Sequence, residues 1–306
     1  MKRLLLACTL LAALAGNALA DTVQVDATFE KTNKWLKDNN LSLTGSPNGQ
    51  RDDAAAFGQE ALLFYGEGVG NPDHKTPAQR GMMAKEAAKV MAQKALTEYL
   101  EGFALVGESS VKDGMAQSSI VRTAVAGFVK GMQVVYQEYN AKEDTAVTLV
   151  KIGLHGPKGF ASAIYDKMNK DPQLKKELAT DKPVFRAAAV SLDQAYDGLI
   201  IDAKEQAFRP ALINRVFSLK GEVLYDPAKV SQKILIEQGC GEYTNSVEKA
   251  KAALESRGVK HPLVIKASGT MNPSDLQVTD EDAVTIFSAN QKGNFMAGAK
   301  VAFVLQ

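Results

Sequence analysis

The strongest periodicity in the chain lies between Thr76 and Phe103. Ala84, Ala88, Met91 and Ala95 recur at helical spacing and mark a buried face, while Lys85, Lys89, Gln93 and Thr97 mark a wet one. Thr76 supplies an N-cap, Pro77 the first helical position, and Gln79 the return arm of a capping box. The alanines predict a helix that sits close against a sheet. Before it, Glu60–Val69 reads as a strand ending in glycines. After it come a strand over 104–111, a turn at Lys112-Asp113-Gly114 and a shorter helix from Gln117 to Val125. Two further strands, 131–139 and 145–153, flank the polar turn Asn140–Asp144. The order β-α-β-α-β-β predicts an α+β sandwich with its helices on one face of the sheet.

The flanking segments read differently. Residues 21–58 form a polar N-terminal arm in which Phe29, Trp35 and Leu36 suggest one short helix and 42–53 a loop. This arm is expected to dock on the domain that follows or on a partner. Residues 155–193, with Pro157, Pro172 and Pro183 and a lysine-rich stretch over 166–182, read as a connector carrying an exposed helix or two. A second α/β-type domain is expected over 194–306. Its strands are 196–202, a hairpin of 209–217 and 222–225 turning at Lys220-Gly221, 261–266, and 300–305. Its helices are 245–256, capped by Asn245 and Glu248, and one opened by Thr279 that runs through Ala289. In the last strand Ala302 and Val304 are as apolar as Val301, Phe303 and Leu305, which predicts an internal strand. The fold class is therefore α+β, in two α/β-type domains, 59–154 and 194–306.

The N-terminus changes the picture of where the chain acts. Lys2 and Arg3, an apolar run from Leu4 to Ala15 and the small residues Ala18-Leu19-Ala20 have the form of a secretory signal peptide over 1–20, cleaved after Ala20. The expected location is the periplasm, with outer-membrane association left open. The net charge of +1 turns slightly negative once Lys2 and Arg3 are removed, so no global field favours nucleic acid. Cys8 falls inside the leader, which leaves Cys240 as the single mature cysteine and rules out an intramolecular disulfide. Its flanking glycines suggest a tight turn. A buried, inert thiol is expected, with an intermolecular disulfide or a redox thiol as alternatives.

The middle segment resembles the family of twenty-kilodalton bacterial lipoproteins (LPP-twenty-like), whose domain also occurs in envelope and flagellar-assembly proteins. Three pieces carry the resemblance: the glycine-ended strand Phe64-Tyr65-Gly66-Glu67-Gly68, the alanine-rich helix from Met83 to Leu96, and the stretch from Val121 to Gly131 followed by paired strands. They span about 58–154. The resemblance implies binding or assembly work at the cell envelope and supplies no catalytic residues.

Candidate chemistry is thin. Gly66-Glu67-Gly68-Val69-Gly70 has G-x-G-x-G spacing and lies several residues before the helix start, so it reads as a turn and not as a phosphate cradle. Ser109-Ser110-Val111-Lys112 matches S-x-x-K without the partner motifs of acyl-transfer enzymes. His74, His155 and His261 are far apart and read as loop histidines, with a spatial pairing of Cys240 and His261 as the alternative. Asp275, Asp280, Glu281 and Asp282 read as helix-capping acids, with a cation site as the alternative. Tyr65, Phe128, Tyr136 and Tyr139 are expected in the core or in cross-strand pairs, with a groove as the alternative. No catalytic, cofactor-binding or metal-binding residue is assigned. The sequence leads to an exported, non-enzymatic binding or assembly component of the envelope. Its partners would be envelope proteins or further copies of itself, with the arm or sheet edges pairing and peripheral membrane association left open. A periplasmic module holding a small ligand between its domains is the alternative, and a periplasmic hydrolase or redox enzyme the more distant one.

Overall fold

The computed structural model describes residues 23–73, 76–107, 109–110, 119–156, 158–172, 175–176 and 179–306. The leader, His74, and the expected turn at Lys112-Asp113-Gly114 lie outside the described residues. The architecture is mixed α+β, with several sheets.

The N-terminal half opens with α1 (Glu30–Asp38) and the short α2 (Asp53–Gly58), followed by β1 (Ala61–Val69) and the long α3 (Pro77–Glu101). A small ladder of β2 (Ala104–Val106) and β3 (Ser109–Ser110) leads to α4 (Ser119–Lys130), β4 (Gln133–Asn140) and β5 (Thr145–Gly153). The sheet is antiparallel in the order β1-β5-β4, and the expected second strand does not join it. Thr76 caps α3 as expected, accepting from the Gln79 amide at 3.2 Å.

Alternation along β1 assigns its two faces. Leu62 and Phe64 face α3, while Leu63 and Tyr65 join Val147 and Leu149 on the other side. That second face is not bare. Val23, Val25, Phe29, Leu36 and Leu43 of the arm cover it, and Trp35 stacks on Tyr136 with ring centres 5.3 Å apart. Thr32, fully buried, donates through its backbone amide and its hydroxyl to Glu138 of β4. The expectation of helices on one sheet face is thus corrected. The sheet is covered on both sides, because the arm brings its own apolar residues to the second.

The glycines of β1 are not a turn. Gly66 and Gly68 lie inside the strand, where a Cβ on Gly66 would overlap the Ala88 carbonyl and the Ala92 amide, and one on Gly68 the Ala84 carbonyl. Backbone therefore lies almost directly on backbone between β1 and α3. This also corrects the buried face of the helix. Ala92 is fully buried beside Ala84 and Ala88, and the larger Met91 is turned outward.

Past β5 comes α5 (Phe160–Lys170), whose Phe160, Ala161, Ile164 and Tyr165 are buried. The expected exposed connector helix is in fact part of the core on that face. A strap over residues 179–197, without helix or long strand, leads to β6 (Gly198–Asp202), β7 (Arg215–Ser218), β8 (Val223–Tyr225), α6 (Gln232–Gln238), β9 (Glu242–Thr244) and α7 (Val247–Ser256). The chain ends with β10 (Pro262–Lys266), β11 (Gly269–Asn272), β12 (Asp275–Val278), α8 (Asp280–Gly293) and β13 (Val301–Val304). One sheet, β10-β6-β13-β9, is parallel throughout; the other, β11-β12-β7-β8, is mixed. The internal position of β13 is as expected. Ala302 and Val304 face α7, while Val301 and Phe303 face the opposite core.

That opposite core does not stop at the second half. One cluster of buried apolar side chains runs from Ala56 to Leu305 and includes residues of both sheets and of α3. Burial of this kind contributes about 25 cal/mol per Å² of apolar surface, so the two halves are joined by the same force that folds each.

The β1–α3 contact is testable. Gly66→Ala is expected to lower unfolding free energy by about 2 kcal/mol through overpacking. Gly127→Ala, on the exposed side of α4 where a Cβ meets nothing within 4 Å, is expected to raise it by about 0.5–1 kcal/mol. Urea midpoints for the two variants check the opposite signs.

Candidate functional site

The aromatic seam between the halves builds the site. Phe57 of α2 stacks on Phe103 at 5.4 Å and tilts against Tyr243 of β9 at 4.7 Å, and Tyr243 stacks on Phe303 of β13 at 5.3 Å. Beside it lies a polar tie. Asp53, mostly buried, accepts from Arg209 Nε at 2.8 Å, Tyr99 Oη at 2.7 Å and Arg51 Nη2 at 3.3 Å. Arg209 also donates to the Gly102 carbonyl at 2.8 Å, and the Arg51 guanidinium lies over the Tyr99 ring. Each cation thus joins Asp53 to a carbonyl at the end of α3, Arg51 to that of Tyr99 and Arg209 to that of Gly102, as a planar five-donor fork allows.

The seam holds α2 above the carboxyl ends of β9 and β13 and leaves a cleft of about 420 Å³ between them. One wall is Asn40, Ser42, Asp52 and Gln59; the other is Thr244, Asn245 and Lys249 beside Tyr243, Leu305 and Gln306. Several of these groups are fixed by bonds within the chain. Asp52 caps α2 through the Ala55 amide at 2.7 Å. Gln59 exchanges two hydrogen bonds with the Ser42 backbone. Ser246 caps α7 by accepting from the Lys249 amide, which corrects the expected Asn245 cap. Asn245, one residue earlier, is exposed at the cleft, and the Lys249 side chain makes no ion pair among the described residues. The cleft thus offers an ammonium and amide donors against the carboxylate wall of Asp52. In open parallel sheets, ligands bind at the carboxyl ends of the strands.

The residues singled out in the sequence lie elsewhere. Cys240 is buried beneath Tyr225, which donates to its carbonyl at 2.6 Å, and its Sγ lies 3.2 Å from Tyr243 Oη. Burial pushes the thiol up, away from a reactive thiolate. His261 is not brought to it; that histidine is exposed and its amide donates to Asp197. The histidine that does approach the loop is His155. Its imidazole occupies the space where a side chain on Gly239 would stand, and Gly239 adopts a positive φ of 70°. His155 Nδ1 is buried without a hydrogen-bond partner. Burial, with the nearby Arg257 cation, lowers its pKa from 6.5 to about 4. His74 and the Val111-Lys112 end of the S-x-x-K match lie outside the described residues.

Three of the four acids, Asp280, Glu281 and Asp282, lie in the first turn of α8 as expected, and Asp275 does not. Asp282 accepts from Thr279 Oγ1 in the cap of α8, Asp280 pairs with Lys220 at 3.2 Å, and Asp275 is buried in β12, accepting from Asn272 and the Arg215 amide. Among the described residues no group of three histidine, cysteine or acidic side chains is placed to hold a metal ion. The four aromatics diverge too. Tyr65 and Tyr136 lie on the arm side of the first sheet, Phe128 packs on Phe160, and Tyr139 bonds Asp144. They form no common groove.

With the cleft defined, one comparison bears on half of it. Residues 198–306 are similar to a family described as the second domain of Treponema pallidum Tp0624. The matched segment begins at the first residue of β6 and contains β9, α7 and β13, the wall that carries Thr244, Asn245 and Lys249. The α2 wall and the arm lie outside it. A search of curated proteins gave no match to the chain.

Two predictions follow from this geometry. Asp53→Ala leaves Arg209 and Arg51 without their shared acceptor and is expected to cost about 2 kcal/mol of stability by urea unfolding. Native His155 stays neutral down to about pH 4, while the unfolded chain takes up the proton near 6.5. Its contribution is therefore complete above pH 6.5 and is lost as pH falls to 4, by about 3 kcal/mol. Glu60, raised by burial and by the Glu242 carboxylate, opposes part of this slope. The comparison that isolates the histidine is the pH profile of wild type against His155→Leu, which is expected to be flatter between 6.5 and 4.

Proposed function

We propose that this protein is an exported, non-enzymatic binding protein of the bacterial cell envelope, and that it holds a small polar ligand in the cleft between α2 and the parallel sheet. The observation that carries the reading is the convergence of Asp52, Asn245 and Lys249 from two halves of the chain on one cleft at the strand ends. The leader-like residues 1–20 support an extracytoplasmic location. The ligand class follows from the lining, which favours a molecule with several hydrogen-bond acceptors and at least one donor for Asp52.

A second reading, an assembly component, is favoured by β4. That strand pairs with β5 on one side, and on the other no strand of the described residues meets it. Eight residues of open edge are a template for strand addition by an envelope partner or a second copy. The arm is occupied on its own sheet, so this reading rests on the edge and on the lipoprotein-like resemblance of 58–154.

The experiment for the first reading is a thermal-shift screen of amino acids, monosaccharides and small phosphorylated metabolites against the mature chain. At least one compound is expected to raise Tm in a saturable way, and Asn245→Trp is expected to remove the shift. No stabilising compound, or a shift that survives Asn245→Trp, would sink it. For the second reading, in vivo crosslinking is expected to capture fewer partners when Val134→Lys places a charge on the β4 edge.

A further inference from the structure

A second cavity, of about 230 Å³, lies between the strap and α8, away from the cleft. The strap closes one side. Val184 forms an isolated parallel bridge with Val223, the Phe185 amide donates to the Val223 carbonyl at 2.9 Å, and the Val223 amide donates to the Pro183 carbonyl at 2.8 Å. Phe185 meets Phe287 of α8 edge to face, with centres 5.9 Å apart. Tyr225 and Met296 complete an apolar wall. A dry aliphatic and aromatic cavity of about 150 Å³ accepts benzene, so this one has room for a phenyl-sized or branched aliphatic body.

The polar groups at its mouth set the sign of the ligand. Asp226 is already paired, since its Oδ1 accepts from buried Arg215 at 3.1 Å and from the Ala228 amide at 3.1 Å. Asn290 Oδ1 accepts from the Met296 amide at 3.0 Å, which fixes that side chain and leaves its amide hydrogens for the cavity. Lys229 lines the mouth, is exposed, and makes no ion pair among the described residues. An apolar chamber with one uncompensated cation and an amide donor at its opening suits a carboxylate with a compact apolar body.

We propose that this cavity is a second binding site, for a small apolar monocarboxylate, seated with its body against Phe185, Phe287 and Met296 and its carboxylate at Lys229 and Asn290. The carboxylate could belong to a free acid or to the C-terminal residue of a peptide, and the chemistry is the same. This site is independent of the cleft reading.

The test is methyl NMR of the mature chain labelled at methionine, following the Met296 signal during titrations. Phenylacetate and 4-methylpentanoate are expected to shift it saturably, and phenethylamine to leave it in place. Lys229→Ala is expected to weaken phenylacetate about fivefold, the scale of an exposed ion pair, and to leave benzyl alcohol unchanged. Ala297→Trp, on an exposed position of the rim, is expected to abolish binding of both. Titration with N-acetylglycylphenylalanine assigns the source: tighter binding than phenylacetate points to peptide termini, weaker binding to free acids, and either supports the proposal. Equal binding of phenethylamine and phenylacetate overturns it. So does an unchanged phenylacetate affinity in Lys229→Ala, or the absence of any shift with millimolar acid.

Discussion

The ring of Phe57 lies between Phe103, at the end of α3, and Tyr243, on the outer strand of the parallel sheet. Much else follows from that placement. It fixes α2 over the carboxyl ends of β9 and β13, and so creates the cleft. It also carries the buried apolar cluster from one half of the chain into the other without a break. Aromatic pairs at these separations contribute about 0.5–1.5 kcal/mol beyond the area that they bury. The seam is therefore a stable joint, and the cleft beside it has walls whose relative position is set by packing.

Polar contacts at the joint add direction to that packing. Asp53 gathers Arg51, Tyr99 and Arg209 onto one carboxylate, and Arg209 reaches on to the last turn beyond α3. The neighbouring Arg257 does similar work below the seam, bonding Glu242 and the carbonyls of Gln238 and Ala299. His155 fits into the gap left by Gly239 and is held neutral there. The joint between the halves thus carries a set of ion pairs and the buried imidazole of His155, while the most deeply buried pair, Arg215 with Asp226, lies within the second half.

How much of this was legible depended on the length and capping of each element. The α3 helix, β5, α8 and β13 could be read because each is long or strongly marked by Thr76, Thr279 or an unbroken apolar run. Three-residue β9 and seven-residue α6 carry too little pattern to read. The choice of Met91 over Ala92 on the buried face failed because spacing alone cannot report how closely two backbones approach; only the glycines of β1 hold that information, and they resembled a turn. The cleft was not legible at all. Asp52 and Lys249 come together through a fold, and neither belongs to a local motif. The one local signal was the run Thr244-Asn245-Ser246, a strand end passing directly into a helix start. The similarity of 198–306 to the second domain of Treponema pallidum Tp0624 covers that wall of the cleft and not the α2 wall.

The central claim is that the two halves form one cooperative body and that the cleft is a fixed product of their junction. Differential scanning calorimetry of the chain from Asp21 to Gln306 tests it most directly. The account predicts a single transition in which the calorimetric and van't Hoff enthalpies agree. Two resolved transitions, or a calorimetric enthalpy well above the van't Hoff value, would show that the halves unfold independently and would contradict it.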